Sequence, residues 1–199
     1  MSPQADRKAK RIAIIDGHPD PDPGRFVHAL AARYGEGALA AGHEVRHIEV
    51  ATLDFPLLRS RAAWEDQPPP PAIAEAQQII AWADHLVILY PLWLGDVPAL
   101  LKAFLEQALR PGFAISKGKS LGAGLLQGKS ARLVVTMGMP AFFYRFYFGA
   151  HSVKSFERNI LKFIGITSVR HTLIGGVEDS AEDRRARLQD LFHLGQGAA

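Results

Sequence analysis

The amino-acid sequence predicts an α/β fold, a doubly wound five-stranded parallel sheet with helices on both faces. Two observations predict it. Short apolar runs alternate with segments of helical period about five times along the chain, the pattern of repeated β-α units. Several of these runs are apolar at consecutive rather than alternate positions, as strands covered on both faces are.

Arg11–Asp16 (RIAIID) is the first run and ends at Gly17. Phe26, Val27, Leu30, Ala31 and Tyr34 then recur at helical spacing and give one apolar face, which Gly42 terminates. Residues 43–50 (HEVRHIEV) alternate apolar and polar and read as a second strand nearer the sheet edge. Residues 51–71, with Pro56 and Pro68 to Pro71, read as loop, because proline withholds the N–H that helices and ladders need. A loop this long inside a compact domain points to function. Residues 72–83 read as helix. Residues 85–90 (HLVILY) are the clearest strand, stopped by Pro91. Val97, Leu100, Leu101, Phe104, Leu105 and Ala108 mark an amphipathic helix with Pro98 in its first turn, where a missing N–H costs nothing. Residues 110–129 read as a Gly- and Lys-rich loop, 131–137 as the fourth strand, 153–164 as helix, 167–174 as the fifth strand and 180–194 as a final helix capped by Ser180.

The chain of 199 residues suits one domain, since domains run to roughly 100–200 residues. We expect a mobile tail over residues 1–9 and a single domain over 10–195. There is no cysteine, so disulfide, thiolate and Cys-ligated metal chemistry are excluded and redox chemistry needs a bound cofactor. The lack of cysteine fits a cytoplasmic protein. A net charge of +3, partly from Arg7, Lys8, Lys10 and Arg11, is no dense basic stripe of the kind that binds nucleic acid. No stretch approaches the ~18 apolar residues of a membrane span, and no signal-peptide pattern opens the chain. The eight histidines form no close pair at helical metal-ligand spacing, so no metal site is expected.

Ligands of such sheets bind where the strands end, near the point where the strand order reverses. Three loops therefore matter. The first, Gly17 to Gly24 (GHPDPDPG), leads into a helix N-terminus, whose free N–H groups and dipole attract phosphate; Gly24 and Arg25 would sit there, with His18 as a further donor. The loop also fits a Pro-rich turn that binds nothing. The second, Pro91-Leu92-Trp93-Leu94-Gly95-Asp96, suits a flat ring hydrogen-bonded by backbone groups, or plain core packing. The third is Thr136-Met137-Gly138-Met139-Pro140, followed by AFFYRFYF over residues 141–148. Glycine beyond a strand admits close ligand approach, and six aromatics between Phe142 and Phe148 exceed what one local core can bury, which suggests a cofactor pocket or a dimer contact.

Two decoys fall away. Gly128-Lys129-Ser130 resembles the end of a P-loop, but Ala123 replaces the required glycine and the segment precedes a strand. There is no GxSxG elbow of an α/β-hydrolase.

Taken in order, the three loops resemble those of the NAD(P)H quinone oxidoreductase family, over about residues 10 to 178. The resemblance rests on a strand followed by His18-Pro19, on PLWLGDVPALLK from Pro91 to Lys102, and on Thr136 through Gly138 with Tyr144 and His151 following. It implies a flavodoxin-like sheet of order 2-1-3-4-5. It implies an NAD(P)H dehydrogenase that reduces quinones or similar small acceptors by ping-pong hydride transfer. It also implies a flavin, FMN or FAD, with NAD(P)H as co-substrate. The chain stops short of the C-terminal extension of the mammalian enzyme, which points to FMN. On this resemblance His18 and Gly24, Arg25, Phe26 and Val27 hold the flavin phosphate. Pro91, Leu92, Trp93, Leu94 and Gly95 lie along the ring, and Thr136, Met137, Gly138 and Met139 line its pyrimidine edge. Tyr144 and His151 are the catalytic pair, and the protein is a homodimer. Gly24, Arg25 and Val27 replace the Ser and Asn side chains usual in the first loop, with Arg25 as compensation. Met139 stands where the mammalian enzyme has glycine, and His151 is displaced by about one residue. The alternatives are a flavin-binding regulator of a potassium efflux system and a flavin-less interaction scaffold.

Overall fold

Five parallel strands form one sheet in the order β2-β1-β3-β4-β5, in a computed structural model that describes residues 8–117, 124–177 and 180–198. The strands are β1 (Arg11–Asp16), β2 (Glu44–Glu49), β3 (His85–Pro91), β4 (Ser130–Thr136) and β5 (Ser168–Ile174). The helices are α1 (Phe26–Ala40), α2 (Arg61–Glu65), α3 (Pro71–Trp82), α4 (Ala99–Ala108), α5 (Ala141–Phe146), α6 (His151–Ser155) and α7 (Ala181–Gly197). The flavodoxin-like order expected from the sequence is the one observed.

Alternation along the strands builds two cores. Ile12 and Ile14 of β1 and Val87 and Leu89 of β3 face α1 and α7. Ala13, Ile15, Leu86, Ile88 and Tyr90 face the opposite layer, which contains residues of α3, α4 and α6. β3 is buried at every position, which explains its continuous apolar run. The edge strand β5 is exposed at Ser168, Arg170 and His171, and its sequence is correspondingly mixed. α1 and α7 meet backbone to backbone: a Cβ on Gly37 would strike the Phe192 carbonyl, and one on Gly195 the Tyr34 carbonyl.

Several elements differ from the sequence reading. The expected 51–71 loop holds α2, while a 3-10 turn, Val50–Thr52, overlaps its start and α3 begins at its last residue, Pro71. α2 is set by local chemistry too short to show a period: the Ser60 hydroxyl accepts from the Ala63 N–H at 3.1 Å, and Arg61 pairs with Glu65 at 2.9 Å. The loop is pinned to α4, whose Gln107 side chain donates to the Pro56 carbonyl at 2.5 Å; just beyond α4, Arg110 donates to that of Gln67 at 2.9 Å. Pro98 caps α4 rather than sitting inside its first turn. The aromatic run 141–148 includes the short helix α5. The helix expected over 153–164 starts earlier, at His151, and continues as a π-helical segment, Phe156–Leu161; such segments recur at functional sites. Ser180 caps α7 as expected, accepting from the Asp183 N–H at 3.2 Å. Of the expected tail, residues 1–7 lie outside the described residues, as do 118–123 of the Gly- and Lys-rich loop. Lys129 of the P-loop decoy donates instead to the carbonyls of Ala81, at 2.8 Å, and Ala83 at the end of α3. No helix among the described residues is long and apolar enough to cross a membrane.

Candidate active site

The strand order reverses at β1 and β3. Their register aligns Asp16 with Leu89, and β3 aligns Pro91 with Thr136 of β4. The three loops singled out from sequence thus leave the same end of the sheet side by side. Cross-links tie them: the Gly17 N–H donates to the Leu89 carbonyl at 2.7 Å, and the Leu92 N–H to that of Thr136 at 2.7 Å. The rings of His18 and Trp93 meet edge to face at 5.9 Å.

The first loop is shaped by its own acids. Asp20 Oδ1 accepts the Asp22 N–H, and Asp22 Oδ1 that of Gly24, both at 3.0 Å. Arg25 is bound at 2.6 Å to Asp20 and at 3.4 Å to Asp22. No side chain caps α1 at Arg25, so the first-turn amides at Phe26 and Val27 keep the donor character of an open helix N-terminus. His18 is buried, and its Nδ1 lies 3.1 Å from the Asp20 amide nitrogen and 3.2 Å from the Asp20 carbonyl oxygen. Burial pushes the His18 pKa below its usual value, and the neighbouring His28 adds to this.

The second loop closes in a two-residue turn. Trp93 and Asp96 exchange backbone hydrogen bonds of 3.0 Å in both directions, and Leu94 and Gly95 both take positive φ, 48° and 79°. Positive φ suits glycine but strains leucine. Leu94 nonetheless occupies that position fully exposed, with Trp93 half exposed beside it. Core packing, the alternative for this loop, holds only for Leu92, which packs on the main core. A cavity of about 460 Å³ runs from Trp93 and Leu94 to Phe156 and Ile160 of the π-helical segment.

In the third loop Thr136 and Met137 are buried. A Cβ on Gly138 would meet nothing within 4 Å, so this backbone is open to a ligand, and Met139 beside it is half buried. Tyr144 is buried, its hydroxyl 2.6 Å from the Ser152 hydroxyl. His151, one residue before Ser152, is exposed at the start of α6. The other aromatics of the run, Phe142, Phe143, Phe146, Tyr147 and Phe148, are exposed, with Phe143 and Tyr147 stacked at 4.8 Å.

Three residues of this region escape sequence reasoning: Asp16, His28 and Tyr90. His28 Nδ1 lies 2.5 Å from Asp16 Oδ2. Asp16 offered a signal, since a lone carboxylate closing a buried strand needs a partner. Tyr90 leaves its buried hydroxyl without a hydrogen-bond partner among the described residues. Burial, with Tyr144 and Asp96 nearby, pushes its pKa upward.

The sequence profile of the flavodoxin-like fold family matches residues 10–193. The chain belongs to this flavodoxin-like family. Among curated members, it is 29% identical over 123 residues to an uncharacterised NAD(P)H oxidoreductase of Haemophilus influenzae, covering 61% of each chain. It is 32% identical over 111 residues to an FMN-dependent NADH:quinone oxidoreductase of Colwellia psychrerythraea, covering 56% of this chain and 53% of that one. This flavodoxin-like chain thus spans little more than half the length of these relatives. Its fold also matches the solved NAD(P)H:quinone oxidoreductase of Methanothermobacter marburgensis, with a TM-score of 0.81 at 20% identity over 96% of this chain and all of that one.

Proposed function

We propose that the protein is an FMN-dependent NAD(P)H oxidoreductase that reduces quinones or similar small acceptors. The observation that carries this reading is the turn after β3. Strained backbone persists where its surroundings and function demand it, and here it holds an apolar residue, Leu94, fully in solvent beside Trp93 at the switch point of the sheet. A flat aromatic ligand gives both side chains a partner.

The residues present fit FMN. The uncapped N-terminus of α1, with Gly24 and Arg25, suits the phosphate. Pro91 to Gly95 suit one edge and face of the ring. The open backbone at Gly138, flanked by Thr136, Met137 and Met139, suits its hydrogen-bonding edge. When bound, the flavin supplies the hydride-transfer chemistry. The half-exposed Trp93 and the cavity beside it give NAD(P)H and acceptor a shared slot, occupied in turn. The net reaction moves two electrons and one proton from NAD(P)H, with one proton from solvent, to the quinone, giving hydroquinone. Tyr144 and Ser152 form a hydroxyl pair that can hold a proton beside developing negative charge, and the exposed His151 precedes Ser152 in the chain.

The five exposed aromatic residues between Phe142 and Phe148 form an apolar surface suited to a second copy of the chain, so a homodimer is part of this reading. The catalytic reading is tested by the absorption spectrum of the purified protein before and after NADPH is added without oxygen. Flavin bands that bleach are the expected result. A protein that stays colourless when FMN is supplied would refute it.

A further inference from the structure

Beneath the first loop lies a histidine that the reaction outlined above does not use. His28 sits in the first turn of α1 with its side chain largely buried. Its Nδ1 lies 2.5 Å from Asp16 Oδ2, and its Nε2 lies 2.9 Å from the Asp20 carbonyl oxygen. A carbonyl only accepts hydrogen bonds, and so does an ionised carboxylate. The other Asp16 oxygen accepts the His18 N–H at 3.1 Å, which favours the ionised carboxylate. A neutral imidazole has one N–H and would set a lone pair against an acceptor at its other nitrogen. Both contacts are hydrogen bonds only when His28 carries two protons.

The neighbouring histidine has the opposite state. His18 Nδ1 lies 3.1 Å from the Asp20 amide nitrogen and 3.2 Å from the Asp20 carbonyl oxygen, so it meets one of these groups in either neutral tautomer and needs no second proton. The two rings are 5.3 Å apart, where two positive charges would repel. One imidazolium, on His28, and one neutral imidazole, on His18, avoid that repulsion and satisfy both contacts of His28.

We propose that His28 is the positioning residue of the phosphate loop. Its imidazolium clamps Asp16 to the Asp20 carbonyl, fixes the loop, and cancels a buried carboxylate charge beneath the phosphate position. The proposal rests on the flavin reading of this loop and gives it a specificity: preference for the flavin phosphomonoester, FMN, over riboflavin depends on a protonated His28.

The charges around His28 set the direction. Asp16 of β1 and Glu49 of β2 favour its cation, and that cation in turn disfavours charge on His18. His47 of β2 also faces Asp16 and Glu49, but burial drives it toward the neutral form. Asp20 is shared with Arg25, which also reaches Asp22. Burial opposes charge on His28, yet its bonds to Asp16 and Asp20 outweigh this and hold its pKa above the ordinary value. As pH rises through that raised pKa, His28 becomes neutral, Asp16 is left uncompensated, and the phosphate is repelled. The second ionisation of the phosphate, near pH 6, acts in the opposite sense and is complete by about pH 7.5, so the effect of His28 is read above that pH.

The test is titration of flavin-free protein with FMN and with riboflavin, followed by flavin fluorescence from about pH 7.5 to about pH 9.5, in the wild type and in His28→Gln. The expected result is an FMN-over-riboflavin preference that shrinks about tenfold across this range, and is already about tenfold smaller in His28→Gln at the lower pH. The ¹⁵N shifts of the His28 ring in the wild type, which need no variant, should report two protonated nitrogens at neutral pH. Equal preference at every pH, or a ring with one proton, would overturn this inference while leaving the flavin reading intact. Binding of neither flavin would overturn both.

Discussion

His18 and Trp93 meet edge to face at 5.9 Å, and this contact joins the loop after β1 to the loop after β3 across the switch point of the sheet. Aromatic pairs in this geometry add roughly 0.5–1.5 kcal/mol beyond burial. Trp93 is half exposed, so the contact does little for the core and leaves a face of the indole open. Trp93→Ala is therefore expected to cost no more than about 1 kcal/mol in urea unfolding, yet to weaken FMN binding by up to about tenfold, the worth of one aromatic partner. A variant that loses stability and keeps its FMN affinity would assign Trp93 to packing alone.

Two glycines of the site separate packing from ligand approach. A Cβ on Gly17 would lie 2.6 Å from a Leu101 methyl and 3.0 Å from the Leu89 carbonyl. Gly17→Ala should destabilise the protein by about 1–3 kcal/mol, the usual cost of overpacking. A Cβ on Gly138 meets nothing, so Gly138→Ala should leave the unfolding midpoint unchanged while lowering FMN affinity. Thermal melts with and without FMN read both effects. A Gly138→Ala protein that binds FMN as the wild type does would show that the flavin does not approach this backbone.

The strands were legible because burial on both faces writes itself as consecutive apolar residues, as in β3, whose every position is buried. The edge strand β2 was legible for the complementary reason, its alternation. The loops between strands were located correctly, but their inner chemistry was not. Asp16 and His28 are separated by a Pro-rich loop, and only the fold brings them to 2.5 Å. The π-helical segment Phe156–Leu161 differs from an α-helix by one residue in its hydrogen-bond register, too little over six residues for apolar spacing to reveal. Trp93 and Leu94 read as core packing or as site, with packing the stronger reading from sequence. Their exposure and the positive φ of Leu94, which no residue-type preference encodes, take them out of the core.

At the opposite end of the sheet, His85 opens β3 with its Nδ1 2.7 Å from the Ser130 hydroxyl. Burial, reinforced by the nearby charges of Lys10, Arg132 and Arg170, lowers its pKa to about 3. Its ordinary value in the unfolded chain is about 6.5. Between these values the unfolded chain binds a proton that the folded protein refuses. Stability is therefore complete above about pH 6.5 and falls as the pH drops toward 3, by up to a few kcal/mol. Urea unfolding at pH 7, 5 and 4 should show that slope in the wild type and a shallower one in His85→Leu. Equal slopes in the two proteins would mean that His85 titrates normally in the folded state.

Tyr144 and Ser152 share one short hydroxyl contact of 2.6 Å inside the protein. Tyr144→Phe removes the phenolic oxygen and leaves the Ser152 hydroxyl without that partner, at a cost of about 1 kcal/mol. If the pair only supports α5 against α6, the consequence ends there, and quinone turnover at saturating NADPH stays as it was. If the pair holds a proton beside the reacting ring, turnover should fall by about 100-fold, the low end for a general acid, with FMN still bound. Ser152→Ala separates the two roles further. It exposes the tyrosine hydroxyl to a similar loss of its partner but keeps the oxygen, so turnover should fall less than in Tyr144→Phe. The unfolding midpoint and the bound flavin, measured on the same samples, show whether a slower enzyme is a damaged fold or a missing proton donor.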